Sequence, residues 1–241
     1  MRRLSVFTLL AAVAALVLAQ TAFAQASQTY TTTLNTLNGS GASGNATVTV
    51  EGNQATVEIQ SQGLTPGQPH AQHIHVGGQN VCPTAANDQN GDGFVSVPEG
   101  QPSYGEVQVA LTTQGDVSAD SGFAVERMPV ADQNGNVSYS RTFALPEGVS
   151  PEQIAGGVIV QHGIDINGNG EYDFDANGAS EAMPDLPFEG TVPATCGALA
   201  ATGGMTDLPD TGGISPLTLA LGGGLLLVAG GGVLFARTRR V

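Results

Sequence analysis

Val48 and Val50, and again Val57 and Ile59, place apolar side chains on alternate residues of short runs that glycine, proline, asparagine and aspartate keep interrupting. Alternation sends successive side chains to opposite faces of an extended chain, so each run reads as a strand with one buried face. The pattern predicts strands over 30–34, 45–50, 55–60, 72–76, 106–112, 137–143, 157–161 and 188–192. No comparable helical stripe is present. One helical turn is expected at 150–154, where Pro151 follows Ser150 as cap. Short strands with turn-rich links predict an all-β fold, an antiparallel β-sandwich or flattened Greek-key barrel.

Both ends of the chain read as addresses. Arg2 and Arg3, an apolar run from Leu9 to Leu18 and the Ala22-Phe23-Ala24 triplet compose a secretory signal peptide over residues 1–24. At the other end Leu208-Pro209-Asp210-Thr211-Gly212 precedes an apolar, glycine-rich run from Ile214 to Ala236, then Arg237, Arg239 and Arg240. The run is long enough to cross a bilayer, and the arginines hold the tail on the cytoplasmic side. This order, over residues 208–241, resembles the cell-wall sorting signal of Gram-positive surface proteins. The resemblance implies that a sortase cuts between Thr211 and Gly212 and joins the new Thr211 carboxylate to peptidoglycan. The expectation is an extracellular, wall-anchored protein, held in the membrane by its C-terminal segment before sorting. Its domain spans residues 25–196, and a small polar linker covers 197–207.

Between residues 25 and 211 only Arg127 and Arg141 stand against 21 acidic side chains, a formal charge of −19. Such a surface repels nucleic acid, which is excluded as a partner, and attracts divalent cations. The two cysteines, Cys82 and Cys196, are expected to pair outside the cell, where disulfides persist. Closing so long a loop contributes roughly 4–5 kcal/mol by the chain-entropy argument.

Asp88-Gln89-Asn90-Gly91-Asp92-Gly93, continuing to Glu99, fits the twelve-residue calcium loop D-x-[DN]-x-[DN]-G-x₅-E at every constrained position. Oxygens at positions 1, 3 and 5, a backbone carbonyl at 7, a group at 9 and a bidentate glutamate at 12 surround a hard cation. Those roles fall to Asp88, Asn90, Asp92, Phe94, Ser96 and Glu99. Cys82 and Pro83 lie just upstream and Pro98 sits at position 11, so the loop is expected between strands, without flanking helices. A second stretch offers Asp165, Asn167, Asn169, Glu171, Asp173 and Asp175, but Ala176 stands at position 12. There Asp173 or Asp175 is expected to close the shell. Asp132, Asn134 and Asn136 echo the pattern weakly, and a turn around Asn134-Gly135 is preferred. Calcium in such loops would stiffen segments that no apolar contact holds.

The histidines fall in two places: His70, His73 and His75 together, His162 far downstream. In a strand His73 and His75 point to one face and Ile74 to the other. Two imidazoles on one face, joined by a third from a neighbouring strand, suit a copper-like site. The order Gly63-Leu64-Thr65-Pro66-Gly67, His73-Ile74-His75, Cys82, Val158-Ile159-Val160-Gln161-His162-Gly163 and Cys196-Gly197 resembles the Cu/Zn superoxide dismutase scaffold. CHRD domains, with an Ala-x-His-Ile-His strand after a Leu-Thr-Pro-Gly turn, are an equally close resemblance. The dismutase resemblance implies copper ligands at His73, His75 and His162, with His70 a further candidate, and a Cys82–Cys196 disulfide. Departures accompany it. No histidine lies between His75 and His162 to bridge to zinc, and no arginine precedes Cys196 to guide an anion.

The leading expectation is therefore a non-enzymatic, calcium-binding surface domain on the wall. The alternatives are a copper-dependent dismutase using His73, His75 and His162, and an adhesion module.

Overall fold

The computed structural model describes residues 27–202. The signal peptide, the sorting signal with its Leu208–Gly212 motif and the linker beyond residue 202 lie outside the described residues. Among the described residues no helix is long and apolar enough to cross a membrane.

The first seven predicted runs form strands: β1 (Gln28–Thr36), β2 (Ser43–Glu51), β3 (Gln54–Gln62), β4 (Gln72–Gly77), β5 (Gly105–Ala110), β6 (Val137–Ala144) and β7 (Val158–His162). β8 (Pro193–Ala198) and the short β9 (Ala200–Ala201) follow. All named pairings are antiparallel, in the order β5-β4-β7-β8-β1-β2-β3-β6, with β9 beside β1. The fold is thus all-β, as expected. β1 turns the corner: its earlier residues pair with β2, whereas Asn35 and Thr36 pair with Cys196 and Thr195 of β8. The sheet curls there into two facing leaves, β1-β2-β3-β6 and β5-β4-β7-β8.

The alternation explains what fills the space between the leaves. Val48 lies opposite Val57 and Ala46 opposite Ile59 in one leaf, and Ile74 lies opposite Ile159 in the other. All six belong to one buried cluster together with Leu34, Val109 and Tyr139. Each large aliphatic side chain buried in this way contributes about 1.5–3 kcal/mol. The same alternation turns His73 and His75 away from Ile74, onto the outer face of their leaf. Val158 and Val160 share that face, where they cluster with Tyr104 and Cys196. Cys82 and Cys196, 114 residues apart, form the disulfide, with Cα atoms 5.7 Å apart.

Three expectations are corrected. Phe188–Val192 is not a strand: Phe188–Thr191 is one helical turn (α3), and the strand starts at Pro193. Pro187 opens that turn, and the run lacks the exposed alternate positions of a one-sided strand, because Phe188, Glu189 and Thr191 are all buried. A helix does follow the first acidic loop: α1 spans Val97–Tyr104. Pro98 does not oppose it, since the first helical turn needs no proline N–H, and Glu99 accepts from the Ser96 N–H at 2.9 Å as in a capping box. At the start of the expected linker, Gly197 and Ala198 continue β8 beside β7, and Ala200 and Ala201 form β9 beside β1. The expected turn after Ser150 is present as α2 (Pro151–Ala155).

Candidate metal centre

β4 and β7 are neighbours, with His73 opposite Val160 and His75 opposite Val158. His162 stands two residues beyond Val160 and so joins His73 and His75 on one face. A register shift at Gln161/His162 marks the end of the β7–β8 ladder there. One ring nitrogen from each of the three histidines lies within 4.8 Å of the other two. All three residues are buried, at 2–3 % exposure.

Every ring uses one nitrogen on a backbone carbonyl. His73 Nε2 is 2.7 Å from Gly122 O, His75 Nδ1 is 3.0 Å from Gly105 O, and His162 Nδ1 is 2.6 Å from Thr191 O. A carbonyl only accepts, so each of these nitrogens carries the proton and the tautomer is set. The opposite nitrogens, His73 Nδ1, His75 Nε2 and His162 Nε2, are buried and have no hydrogen-bond partner. Burial pushes each imidazole down to about 3, and the neighbouring imidazole pushes in the same direction, so all three are neutral at pH 7. Three neutral rings that present unprotonated, unpartnered nitrogens to one another can hold a metal ion. Ala71, Val97, Val107, Phe123, Val125 and Leu186 wall the adjoining cavity of about 30 Å³. His70 does not join them: its ring nitrogens face the carbonyls of His162 and Thr65 at 2.9 and 3.1 Å.

The first acidic loop is already folded around its motif. Asp88 accepts from Gly91 and Gly93 N–H at 2.7 and 3.0 Å, Asn90 from Asp92 N–H at 2.9 Å, and Asp92 from Phe94 N–H at 2.9 Å. Glu99 closes the loop, taking Gln89, Asn90 and Ser96 N–H groups at 2.8, 3.1 and 2.9 Å. Burial raises the Glu99 carboxyl, but these hydrogen bonds outweigh it and hold the group below its ordinary range. Ser96 Oγ also donates to Glu181 at 2.9 Å, a carboxylate from far along the chain.

The second loop repeats the first. Asp165 accepts from Gly168 and Gly170 N–H at 2.7 and 2.8 Å, Asn167 from Asn169 N–H at 3.0 Å, and Asn169 from Glu171 N–H at 2.8 Å. The carboxylate that stands where Glu99 stands is Glu189. It takes Ile166, Asn167 and Asp173 N–H groups at 2.6, 3.3 and 2.9 Å, the same three loop positions that Glu99 takes. Glu189 is fully buried. Asp173 instead accepts from the Asn167 and Asn169 side chains, and the Asp175 N–H donates to it. Sequence spacing misses Glu189 because it lies outside any twelve-residue window from Asp165. The available sign was Glu189 as the one acidic residue of the Pro187–Val192 run.

No protein-family model matches this chain, and no curated protein matches it.

Proposed function

We propose that this protein is an extracellular metal-binding domain displayed on the cell wall. Its three-histidine centre holds one copper ion, and its two acidic loops hold calcium. The observation that carries this reading is the trio of buried, partnerless imidazole nitrogens. A buried polar atom without a partner is costly, so three converging on one point support a ligand there. Copper(II) exceeds zinc in intrinsic affinity at a nitrogen site, and structural zinc takes four protein ligands, whereas three histidines gather here.

Binding rather than dismutation is the favoured reading. The rings are almost wholly covered, and the adjoining cavity has apolar walls. Both arginines of the described residues are engaged with their own surroundings. Arg127 donates to Gln114, Asp116 and Ser121, and Arg141 to Thr112. A formal charge of −19 between residues 25 and 211 would also repel an anionic substrate.

The calcium reading draws on the complete motif at Asp88–Glu99 and on the matching set at Asp165, Asn167, Asn169, Glu171 and Asp173, with Glu189 as closer in place of Asp173 or Asp175. Wall display draws on the signal peptide and the Leu208–Gly212 motif, and the Cys82–Cys196 disulfide accords with an oxidising compartment.

Copper titration of the metal-free protein tests the centre. One equivalent bound by the wild type and none by the His73→Ala/His162→Ala double variant is the expected result. Equal binding by both would remove the copper part of the reading.

A further inference from the structure

Two of the three carbonyls that hold the histidine rings lie at the ends of α1 and α3, and each of these helices carries a buried glutamate. On α1, Glu99 gathers the N–H groups of Gln89, Asn90 and Ser96. At the other end of the same helix the Tyr104 ring lies 4.5 Å from the His75 ring, and the next carbonyl, Gly105, takes the His75 N–H. Gly105 has φ +97°, and a side chain there would collide with the Val76 carbonyl, so the chain passes this point in only one way. On α3, Glu189 gathers the N–H groups of Ile166, Asn167 and Asp173. Two residues later the Thr191 carbonyl takes the His162 N–H. The two systems touch where Phe94 packs edge-on against Phe188, with ring centres 5.8 Å apart. The third carbonyl, Gly122, belongs to a separate turn in which Ser121 donates to Asp116.

We propose that Glu99 and Glu189 are positioning residues of the histidine centre. By fixing α1 and α3 they aim the Gly105 and Thr191 carbonyls, which turn the free nitrogens of His75 and His162 towards His73. The inference rests on the reading of the three histidines as a metal centre. The physical link runs the length of α1 and is shorter at α3. α3 has four residues, so the direction of its Thr191 carbonyl follows the seating of Glu189. Both Glu189 oxygens accept from backbone N–H groups. A glutamine would keep one acceptor and set an NH₂ against the N–H on the other side, which unseats the turn. Outer partners of metal-bound histidines set ring orientation, and losing one typically weakens metal binding about 10–100-fold.

Cobalt(II) alone, whose visible spectrum reports ligand geometry, is the probe. The purified chain in calcium-free buffer is titrated as wild type, Glu189→Gln, Glu99→Gln, Asp132→Asn and His162→Ala. Asp132 organises an exposed turn by accepting from Asn134 and Asn136 N–H, and it contacts none of the histidines. The expected wild-type spectrum disappears in His162→Ala. It shifts in both glutamate variants, with binding about 10–100-fold weaker, and is unchanged in Asp132→Asn. A wild-type spectrum and affinity in both glutamate variants would overturn the positioning role. A wild-type spectrum that survives His162→Ala would instead overturn the metal-centre reading beneath it. If Glu189→Gln fails to fold, Glu99→Gln decides alone.

Discussion

The centre depends on three imidazoles being neutral in the folded chain, and this has a pH signature. His73, His75 and His162 are pushed from about 6.5 to about 3, mainly by burial. The unfolded chain therefore takes up protons first as pH falls. The stability that the metal-free protein draws from these groups is whole above pH 6.5 and is lost as pH falls towards 3. Urea midpoints of the metal-free protein at pH 7, 5.5 and 4.5 should drop in that order, and His162→Gln should flatten the slope. A slope unchanged by His162→Gln would contradict the assignment. The histidines themselves were legible: alternation puts His73 and His75 on one face, and β7 adds His162. Their carbonyl partners at Gly105, Gly122 and Thr191 were not, because a backbone acceptor leaves no trace in residue identity.

At the level of elements, the acidic loops and the helices that follow them act as units. Calcium should raise the melting temperature of the wild type, and EDTA should reverse the rise. Glu99→Gln and Glu189→Gln should each remove roughly one calcium per chain, read by isothermal titration. A Glu189→Gln protein that keeps both calciums would show that Asp173 or Asp175 closes the second loop after all. Gly105→Ala should destabilise the fold by about 1–3 kcal/mol, from its positive φ and the Val76 collision, measured by chemical denaturation. The strands with one exposed face were readable from alternation, as β2 and β3 are. The region after residue 187 was not, because Glu189 and Thr191 are buried by contacts with loop 2 and Ser180 that no local pattern encodes. The helix after loop 1 departs from expectation for a local reason: Pro98 resembles a breaker in the sequence, but its place in the first turn makes it compatible with a helix.

Across the described residues, one curled sheet presents its inner face to a common apolar core, and the outer face of one leaf carries the three-histidine cluster. The disulfide ties the segment leading into the first loop to β8, on the leaf that carries the histidines. Reduction should therefore cost about 4–5 kcal/mol of stability by the chain-entropy argument. It should also loosen the centre. The all-β class and the paired cysteines were legible in sequence, whereas the curl at β1 was not, since it arises from one strand dividing its hydrogen bonds between β2 and β8. Display on the wall is tested by Thr211→Ala, which should shift the protein out of the peptidoglycan-linked fraction. The most direct test of the account is the metal content of the purified protein after dialysis against equimolar calcium, copper and zinc. The account predicts one copper per chain, lost in the His73→Ala/His162→Ala variant, alongside two calciums that this variant retains. Calcium without copper, or copper retained by the variant, would contradict it.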